Sequence, residues 1–451
     1  MMQFRRKQAE ARGTAAGAGG NARIGRNVTV MVLSFVGNYA AAFATFPYLT
    51  RVLGPMHFGM LAYAMAITAY GTLLTEWGIN LSGPRAVVAC RDDPSLLNAL
   101  LWSVLGAKTL LCIAATFMLV VLLGSGIGAA AARPVLCLSW LGVISSVCTL
   151  YWLFQGLERF KLIGWMIFVN RAVTLPLTFW LVKKPQDVTI AAAIQAAGPV
   201  IAAVFSVFIA MREGLLRRPV LSWRAIMTRL TEGADMFVAT ASVTLFGAAN
   251  SIILTSYSGS YAAGIYAGAD KIRTVCTLVP AQLGAVLYPR IGRMFERRKR
   301  EAARLTAYGA GLTMLISLLG AAISIAFAES ITSIVLGKQF AGASGVLRVL
   351  ALSTVFGNLA YFVGLQILVP SGASKLRSAT IFATGCMNVA LALLLVRRYE
   401  AMGAAMSFLV CEALILAIYV ALIVRSRRLR RYLSLCSVGR RHVAVHEGAE
   451  A

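Results

Sequence analysis

The sequence predicts an all-α polytopic membrane protein with about twelve transmembrane helices in two six-helix lobes. Of its 451 residues, 59% are hydrophobic and only 13% are charged, whereas soluble domains carry about 25% charged residues. The mean hydropathy is +0.76. Apolar runs of about 18 residues or more recur along the whole chain, which is the length that a bilayer-spanning helix requires. These observations together exclude a soluble globular domain.

The apolar runs divide the chain into spans and connections. The predicted spans lie at about 27–49, 58–80, 97–123, 134–155, 162–182, 189–211, 235–256, 261–288, 306–328, 344–369, 378–396 and 402–424. The longest connection on the inner side separates six spans from the other six. The predicted organisation is a basic tail at 1–26, an N-terminal lobe at 27–211, a loop at 212–234, a C-terminal lobe at 235–424 and a basic tail at 425–451.

Lysine and arginine are distributed unequally between the two sides of the predicted spans. With a cytoplasmic N-terminus, the inner side holds 31 of them and the outer loops hold 7. Cytoplasmic loops of membrane proteins carry the excess of these residues. We therefore expect both termini in the cytoplasm. The net charge of +26 is then a signal of topology and does not indicate a nucleic-acid partner.

A weak internal repeat supports the division into two lobes. The second span opens with FGMLAYAMAI from Phe58, and the eighth opens with AGIYAGADKI from Ala263, which aligns Gly59 with Gly264. Many transporters are built from two such copies around a binding site near the middle of the membrane. The repeat therefore favours a transporter that exposes one site alternately to each side.

Three charged residues interrupt the eighth span. A charge at the centre of a spanning helix costs roughly 2.5–3.5 kcal/mol, so Asp270, Lys271 and Arg273 are not expected to face lipid. Asp270 can pair with Arg273 at the i,i+3 spacing, whereas Lys271 points about 100° away around the helix. One cation is therefore left for an anionic ligand. Pro280, further along the same span, is interpreted as a hinge.

Other polar residues within spans are candidates for lining a cavity. Arg171 and Asn38 are too large and polar to be explained as helix packing alone. Lys108 lies in mid-span and either lines a cavity or binds a structural partner such as Glu76 or Glu412. Glu412 itself is interpreted either as a proton carrier or as one half of an ion pair.

Hydroxyl side chains follow a helical period in several spans. In the second span Thr68, Thr72 and Glu76 recur at every fourth position, which places them on one face of a helix. Such residues either line a polar path or bond neighbouring helices. Asp235, at the start of the seventh predicted span, is interpreted as a helix cap. The eight cysteines are scattered without metal-ligand spacing, and no metal site is expected.

Several segments together resemble a known family. These are FPYLTRVLGPMHFG from Phe46 to Gly59, YWLFQGLERFK from Tyr151 to Lys161, the pair Asn170 and Arg171, GIYAGADKIR from Gly264 to Arg273, and LYPRIGRMF from Leu287 to Phe295. They are similar to the signature segments of bacterial polysaccharide, or O-antigen, flippases. Those flippases share a superfamily with multidrug-and-toxin extruders (MATE transporters) and lipid II flippases, so the resemblance implies a MATE-like fold.

The resemblance implies a transporter and not an enzyme. Its substrate would be an undecaprenyl-pyrophosphate-linked oligosaccharide, moved from the cytoplasmic to the periplasmic leaflet of the bacterial inner membrane. Arg171, Lys271 and Arg273 would line a cationic cavity. No cofactor is expected. A proton or sodium gradient is a hypothesis for the driving force, with Glu412, Asp270 and Glu76 as candidate coupling residues. Polysaccharide polymerase and chain-length proteins are the expected partners.

Three alternatives remain open at this point. A drug or cation antiporter of the same fold requires an acidic cavity, and the spans hold five cations against about four carboxylates. A flippase for another lipid-linked glycan, such as lipid II, would share the fold. A membrane glycan polymerase is disfavoured because the longest outer segment, 329–343, is short, and the histidines are only His57, His442 and His446.

Overall fold

The computed structural model describes residues 44–125, 130–426, 429 and 432. The predicted tail at 1–26, most of the first span with Asn38, and nearly all of the predicted tail at 425–451 lie outside these residues. Within the described chain the regular secondary structure is entirely helical. The prediction of an all-α fold is therefore confirmed.

Twelve helices, α1 to α12, follow one another along the described chain. Their bounds are α1 44–76, α2 Ile79–Cys90, α3 Pro94–Gly124, α4 Arg133–Ser146, α5 Tyr151–Gly156, α6 Phe160–Leu181, α7 Val188–Arg212, α8 Trp223–Arg297, α9 Lys299–Ala326, α10 Ala328–Val335, α11 Ala343–Val363 and α12 Ser374–Arg425. A π-helical turn, Gly364–Leu368, extends α11.

Length and composition are consistent with a protein that crosses the membrane many times. Eight helical segments of the described chain are long and apolar enough to span a bilayer. Large apolar side chains point outwards from them; on α3, Ile113, Phe117 and Val120 are at least 60% exposed. Outward-facing apolar surface of this kind suits a hydrocarbon solvent. The polytopic membrane architecture follows.

The 75 residues of α8 form two antiparallel helices. Gly259 inside it has φ 83° and ψ 173°, which breaks the helix, and glycine tolerates this region without a Cβ clash. Asn250 Nδ2 donates to Tyr266 Oη at 3.0 Å, although sixteen positions of straight helix would span about 24 Å. The chain therefore folds back at Gly259, between the two spans predicted at 235–256 and 261–288. Pro280 lies inside the second helix without a break in the backbone, and its interpretation as a hinge stays a prediction.

The same arrangement recurs in α12. Glu400 has φ 47° and ψ −127° and breaks the helix, close to the gap predicted between the last two spans. Tyr419 Oη donates to Arg377 O at 3.4 Å across 42 positions. This contact requires the two halves of α12 to lie side by side. Both α8 and α12 are thus helical hairpins, and each covers two of the predicted spans; of the two, α12 is apolar enough to be a candidate membrane span.

The start of α8 differs from the sequence prediction. The helix begins at Trp223 and is capped by Ser222, whose Oγ accepts from Ala225 N. Asp235 is therefore inside the helix, and its interpretation as a cap is wrong. Residues 223–234 extend the helix beyond its apolar part. The connection predicted at 212–234 is correspondingly shorter, because polar residues continue a helix as readily as apolar ones once it leaves the membrane.

Two short connections are fixed by carboxylates that accept hydrogen bonds from the backbone. Asp93 caps α3 by accepting hydrogen bonds from Ser95 N and Leu96 N. The hydrogen bond from the Ser95 hydroxyl, followed by these two backbone bonds, holds the pKa of Asp93 below its usual value. Before α7, the backbone N–H groups of Lys183 and Lys184 likewise lower the pKa of Asp187. Both carboxylates therefore stay ionised at neutral pH, as capping requires.

The first and second halves of the chain meet at a crossing of two glycines. A Cβ atom added to Gly59 on α1 would lie 1.8 Å from Ser260 O, and one added to Gly264 on α8 would lie 1.8 Å from Pro55 O. Gly264 follows Gly59 by 205 positions, and Ser260 follows Pro55 by the same number. Each half therefore presents the same patch to the other, which is the contact expected of two copies related by a twofold rotation.

The helix breaks obey the same spacing. Gly54 interrupts α1 with φ +66°, and Gly259 interrupts α8 with φ +83°, again 205 positions apart. In α1 the rings of Phe46 and Phe58 lie 5.9 Å apart, although twelve positions of straight helix would separate them by about 18 Å. The two glycine-centred bends thus support the internal repeat that aligned Gly59 with Gly264.

Substitution of the crossing glycines is expected to destabilise the protein. Gly59→Ala or Gly264→Ala would force a methyl group against a backbone carbonyl, and overpacking of this kind costs about 1–3 kcal/mol. The measurement is thermal unfolding of the detergent-purified variants. Gly292→Ala is the matched control, since a Cβ at that helical position meets nothing within 4 Å. Equal melting temperatures for Gly59→Ala and Gly292→Ala would show that the crossing is not close.

Candidate functional site

A cavity of about 750 Å³ lies among the helices of the first half of the chain, with polar groups set in a mostly apolar lining surface. It is lined by α1, α2, α4, α5, α6 and α7, and by Thr240 and Thr244 from the first part of α8. Twelve of its 21 lining residues are polar, namely Thr68, Thr72, Glu76, Asn80, Ser139, Ser146, Thr149, Tyr151, Asn170, Gln195, Thr240 and Thr244. Binding sites for small molecules have volumes of this size.

The stripe predicted on the second span forms one wall of the cavity. Thr68, Thr72 and Glu76 follow one another at successive turns of α1, and all three line the cavity. Glu76 is half-buried, and its carboxylate accepts a hydrogen bond from Asn80 Nδ2. It is the one charged residue in the lining. Of the two alternatives left open for this stripe, lining a cavity is the one that its position matches in this span.

A broken helix forms the opposite wall. α4 ends at Ser146, and α5 begins at Tyr151. The 14 residues of α4 rise only about 21 Å, too little for a hydrocarbon core of about 30 Å. Thr149, in the irregular segment between the two helices, lines the cavity together with Ser146 and Tyr151. Non-helical backbone at this depth is stable only where it borders protein or a wet cavity.

Lys108 holds the end of this broken helix. Its side chain is fully buried on α3, and its Nζ donates to Ser146 O at 2.7 Å. A cation at the carboxyl end of a helix is favoured by the helix dipole. Glu76 and Cys148 are the groups that act on Lys108 electrostatically. Lys108 therefore lies behind the cavity wall and not in it, with the charge of Glu76 nearby.

Arg171 lies next to the cavity on α6. The preceding residue, Asn170, lines the cavity and packs over Gly198 of α7, where an added Cβ would lie 2.4 Å from Asn170 Oδ1. Arg171 itself is partly buried and does not belong to the lining. Gly198 thus makes room for the amide of Asn170 at the cavity wall, one position before Arg171.

The charged cluster of the eighth predicted span lies elsewhere, on the second helix of α8. Arg273 Nε donates to Asp270 Oδ1 at 2.7 Å, as the i,i+3 spacing predicted. The guanidinium carbon is 4.6 Å from the ring centroid of Phe408 on α12, a cation–π distance. Lys271 is exposed, and no salt bridge to it occurs within the described chain. Lys271 therefore remains the available cation of the cluster.

Glu412 belongs to the same region of the second half. Its carboxylate lies over Gly357 of α11, where an added Cβ would be 2.9 Å from Oε2, and it interacts electrostatically with Arg273. In the same half of the chain, two buried asparagines bond to each other. Asn388 Nδ2 donates to Asn250 Oδ1 at 3.0 Å. Asn250 also joins α8 to α12 through Ala404 O at 3.3 Å.

The structure thus separates the predicted site residues into groups. Glu76 lines the cavity, Lys108 and Arg171 lie beside it, and Asp270, Arg273 and Glu412 form a cluster in the other half. Asn38 lies outside the described residues. In the part of the chain that the structure describes, no group of three metal-binding side chains occurs. The described lining of the cavity therefore combines apolar side chains with neutral polar groups and one carboxylate.

Sequence reasoning missed most of the neutral lining residues. Gln195 had a usable signal, because it is a lone amide in the otherwise small and apolar run AAAIQAAGP of α7. Asn80 and Tyr151 lie at helix ends, where polar residues are common and carry no signal. Ser139 is one of many isolated serines in spans, and only the packing of α4 shows which of them reaches a cavity.

The fold and the cavity define a class of membrane protein, the helical transporters and flippases. The lipid II flippase MurJ in its inward closed conformation is similar, with a TM-score of 0.73 and 12% identity over 90% of each chain. An inward-facing multidrug resistance MATE family transporter of the MOP superfamily has a TM-score of 0.69 and 13% identity, covering 89% of this chain and 95% of its own. These structures share the fold.

The family follows from the sequence match. Residues 24–295 match the model of the family described as "Polysaccharide biosynthesis protein", and the chain belongs to this family. A relative from Escherichia coli (strain K12), named "Putative O-antigen transporter", is 26% identical over 408 residues, which cover 90% of this chain and 97% of the relative. The resemblance inferred from the signature segments is confirmed.

Lys108 and Glu76 are expected to be energetically coupled. Lys108→Met removes a positive charge that is favoured by the Glu76 carboxylate, and Glu76→Gln removes that carboxylate charge, so the two destabilisations should not add. Residues in one polar network couple by about 0.5–3 kcal/mol. The measurement is a double-mutant cycle of unfolding free energy in detergent.

A second cycle provides the control for this coupling. It pairs Glu76→Gln with Lys183→Met, because Lys183 lies in the connection that precedes α7 and is remote along the chain from the broken helix. The effects of Glu76→Gln and Lys183→Met on the unfolding free energy should add to within experimental error. Additivity in the Lys108 cycle as well would show that the two charges do not sense each other.

Proposed function

We propose that this protein is a flippase for lipid-linked polysaccharide repeat units. The substrate would be an undecaprenyl-pyrophosphate-linked oligosaccharide, moved from the cytoplasmic to the periplasmic leaflet of the bacterial inner membrane. Membership of the polysaccharide biosynthesis family and the O-antigen transporter relative support this proposal. The observation that carries it is a cavity between apolar helices whose lining includes hydroxyl, amide and carboxylate groups, because a hydrophilic headgroup needs such a path across hydrocarbon.

The lipid and the headgroup place different demands on the protein. The polyprenyl chain is as apolar as the exposed faces of the helices and can stay in the bilayer. The pyrophosphate carries about two negative charges and requires Lys or Arg donors in a desolvated site. Arg171, beside the cavity, and Lys271 and Arg273, on α8, are the proposed phosphate ligands. Lys271 has its charge available, since Arg273 is paired with Asp270.

Alternating access is the proposed mechanism, and a contact between the halves suggests where the outer side closes. Arg51 donates from its guanidinium to Ile334 O, and the Thr50 hydroxyl, which donates to Pro47 O at 3.0 Å, lies 3.5 Å from Val335 O. The acceptors are the last carbonyls of α10, where the helix dipole favours a cation. We name Thr50, Arg51, Ile334 and Val335 the outer clasp. Opening towards the periplasm requires this clasp to separate.

The driving force and the membrane topology belong to the same proposal. Asp270, Glu76 and Glu412 are the candidate residues for coupling to protons or sodium ions, because each is a carboxylate within or beside a spanning helix. The excess of lysine and arginine in alternate connections supports cytoplasmic termini. Polymerase and chain-length proteins would then receive the substrate on the periplasmic side.

Export of organic cations is a second candidate function. The observation that favours it is Glu76, which is the charged residue of the cavity lining. A cation in a low-dielectric cavity gains from a carboxylate, whereas a phosphate is repelled by one. Flipping and drug-export assays on the same vesicles distinguish the two functions.

Flipping is expected to depend on the proposed phosphate ligands. In proteoliposomes, wild type should transfer a labelled undecaprenyl-pyrophosphate oligosaccharide between leaflets, and Lys271→Ala and Arg171→Ala should each slow the transfer at least tenfold, because a lost charge-assisted hydrogen bond costs about 1.5–3 kcal/mol.

The control for flipping is Lys183→Ala, at an exposed lysine of the connection before α7, and it should flip at the wild-type rate. Export of ethidium without flipping by wild type would contradict the proposed function. Normal flipping by both variants would instead remove these two residues from the phosphate site.

Loss of the outer clasp is expected to expose the outer end of the crossing. Phe58 is buried against Phe340 below the clasp, with ring centroids 6.3 Å apart. In a cysteine-free background, Phe58→Cys should react several-fold faster with a membrane-impermeant maleimide once Arg51→Ala is added, because the outward-open state gains population. Adding Lys183→Ala in place of Arg51→Ala should leave the rate unchanged. Unchanged labelling with Arg51→Ala would mean that the clasp does not hold the outer side closed.

A further inference from the structure

The end of α8 and the start of α9 form one helical hairpin. α8 ends at Arg297 and α9 begins at Lys299. A Cβ atom added to Gly309, ten positions into α9, would lie 2.7 Å from Cδ1 of Leu287, ten positions before the end of α8. Such a contact requires the two helices to run antiparallel from their junction. Side chains near the junction therefore share one surface of the molecule.

A small apolar core fixes the two helices at this junction. Ile291 and Phe295 of α8 and Ala302 and Ala303 of α9 are at most 5% exposed and pack in one cluster with Tyr432. The ring centroids of Phe295 and Tyr432 lie 4.8 Å apart. The two backbones are thus held against each other, and the side chains that point away from this core face outwards together.

Exposed cations surround this core. Arg298 is paired with Glu301 at 3.4 Å. None of the other exposed cations at the junction forms a salt bridge with a side chain that the structure describes. Their charge is therefore left for an external anion. We name these other cations the basic hairpin end, which consists of Arg290, Arg293, Lys299, Arg300 and Arg304.

Two of these arginines are in line with an exposed apolar stripe on α9. Arg300, Arg304 and Tyr308 recur at every fourth position, which places them on one face of the helix, and Tyr308 is 78% exposed. Leu312 and Leu315 continue this face and are 45% and 55% exposed. The face therefore changes from charged to aromatic to aliphatic along the helix. The opposite face of α9 is buried, with Ala302, Thr306, Gly309 and Thr313.

This order of side chains matches the depth profile of one membrane leaflet. Tyrosine is enriched at the level of the lipid headgroups, aliphatic side chains lie deeper, and cations lie on the aqueous side. An excess of cations fixes topology wherever it lies in a short connection, so topology alone does not require arginines in register with Tyr308. The predicted topology places the junction on the cytoplasmic side, where anionic lipids give the membrane surface a negative potential.

We propose that the basic hairpin end binds an anionic phospholipid. The lipid phosphate lies between Arg300 and Arg304, because a guanidinium group donates paired hydrogen bonds to phosphate oxygens. Arg290 and Arg293 add positive charge from α8, and an acyl chain follows the exposed leucines of α9 into the bilayer. The leaflet follows from the predicted topology, whereas the binding itself depends neither on the topology nor on the proposed function.

The test measures phospholipid affinity of the full-length protein in a neutral detergent. Native mass spectrometry follows titrations with phosphatidylglycerol, which is anionic, and with phosphatidylethanolamine, which is zwitterionic. Wild type should prefer phosphatidylglycerol. Arg300→Gln combined with Arg304→Gln should weaken phosphatidylglycerol binding about tenfold and leave phosphatidylethanolamine binding unchanged.

A second pair of substitutions controls for net charge. Lys161→Gln combined with Lys375→Gln removes the same charge from exposed lysines at the starts of α6 and α12, and this pair should bind phosphatidylglycerol as wild type does. Arg300→Lys combined with Arg304→Lys keeps the charge but loses the paired hydrogen bonds, so its affinity should lie between those of wild type and the glutamine pair. All these side chains are exposed, so the melting temperatures should equal that of wild type.

Three results would overturn the proposal. Equal losses in the two glutamine pairs would show that attraction depends on net charge alone, and equal wild-type affinities for the two phospholipids would show that no anionic lipid is selected. Displacement of phosphatidylglycerol by undecaprenyl pyrophosphate at concentrations below those at which phosphatidylglycerol binds would identify the occupant as a polyprenyl lipid instead. Flipping does not enter these measurements, so its absence would overturn the proposed function and leave the lipid site intact.

Discussion

Close contact between two backbones, at Gly59 and Gly264, is the constraint on which the arrangement of the helices depends. Each glycine lies against a carbonyl of the other half, at a distance that admits no side chain. In a bilayer, helices gain little from burying apolar side chains, so such close packing of small residues is a principal source of association. The crossing joins the halves along α1 and α8, and residues of both helices, among them Thr68 and Thr240, line the cavity.

Helix breaks are a second feature of the fold, and in a membrane their positions indicate where polar sites lie. Gly54 and Gly259 bend corresponding helices, whereas the interruption after Ser146 occurs in α4 and is stabilised by the buried ammonium of Lys108. Unpaired backbone groups are costly in hydrocarbon. A break that is both buried and supplied with its own cation therefore belongs to a polar site, and this break borders the cavity.

Charges within the spans are placed according to their partners. Arg273 is neutralised by Asp270 and covered by Phe408, and Lys108 is used by the broken helix. Among the described residues that line the cavity, Glu76 is the charged one. The net charge counted from the sequence therefore does not describe the electrostatic field inside the cavity. What matters is which charges are already satisfied by the protein and which remain for a ligand.

The sequence by itself determined the helical membrane fold, the family, the pairing of Asp270 with Arg273 and the polar face of Thr68, Thr72 and Glu76. These features depend on hydropathy and on spacing along one helix, which are local properties. Only the tertiary structure decided that Lys108 supports α4, that Gly59 meets Gly264 and that Ser139 and Gln195 line the same cavity as Glu76. Such contacts join residues far apart in the chain, and helical periodicity does not specify which faces of different helices meet.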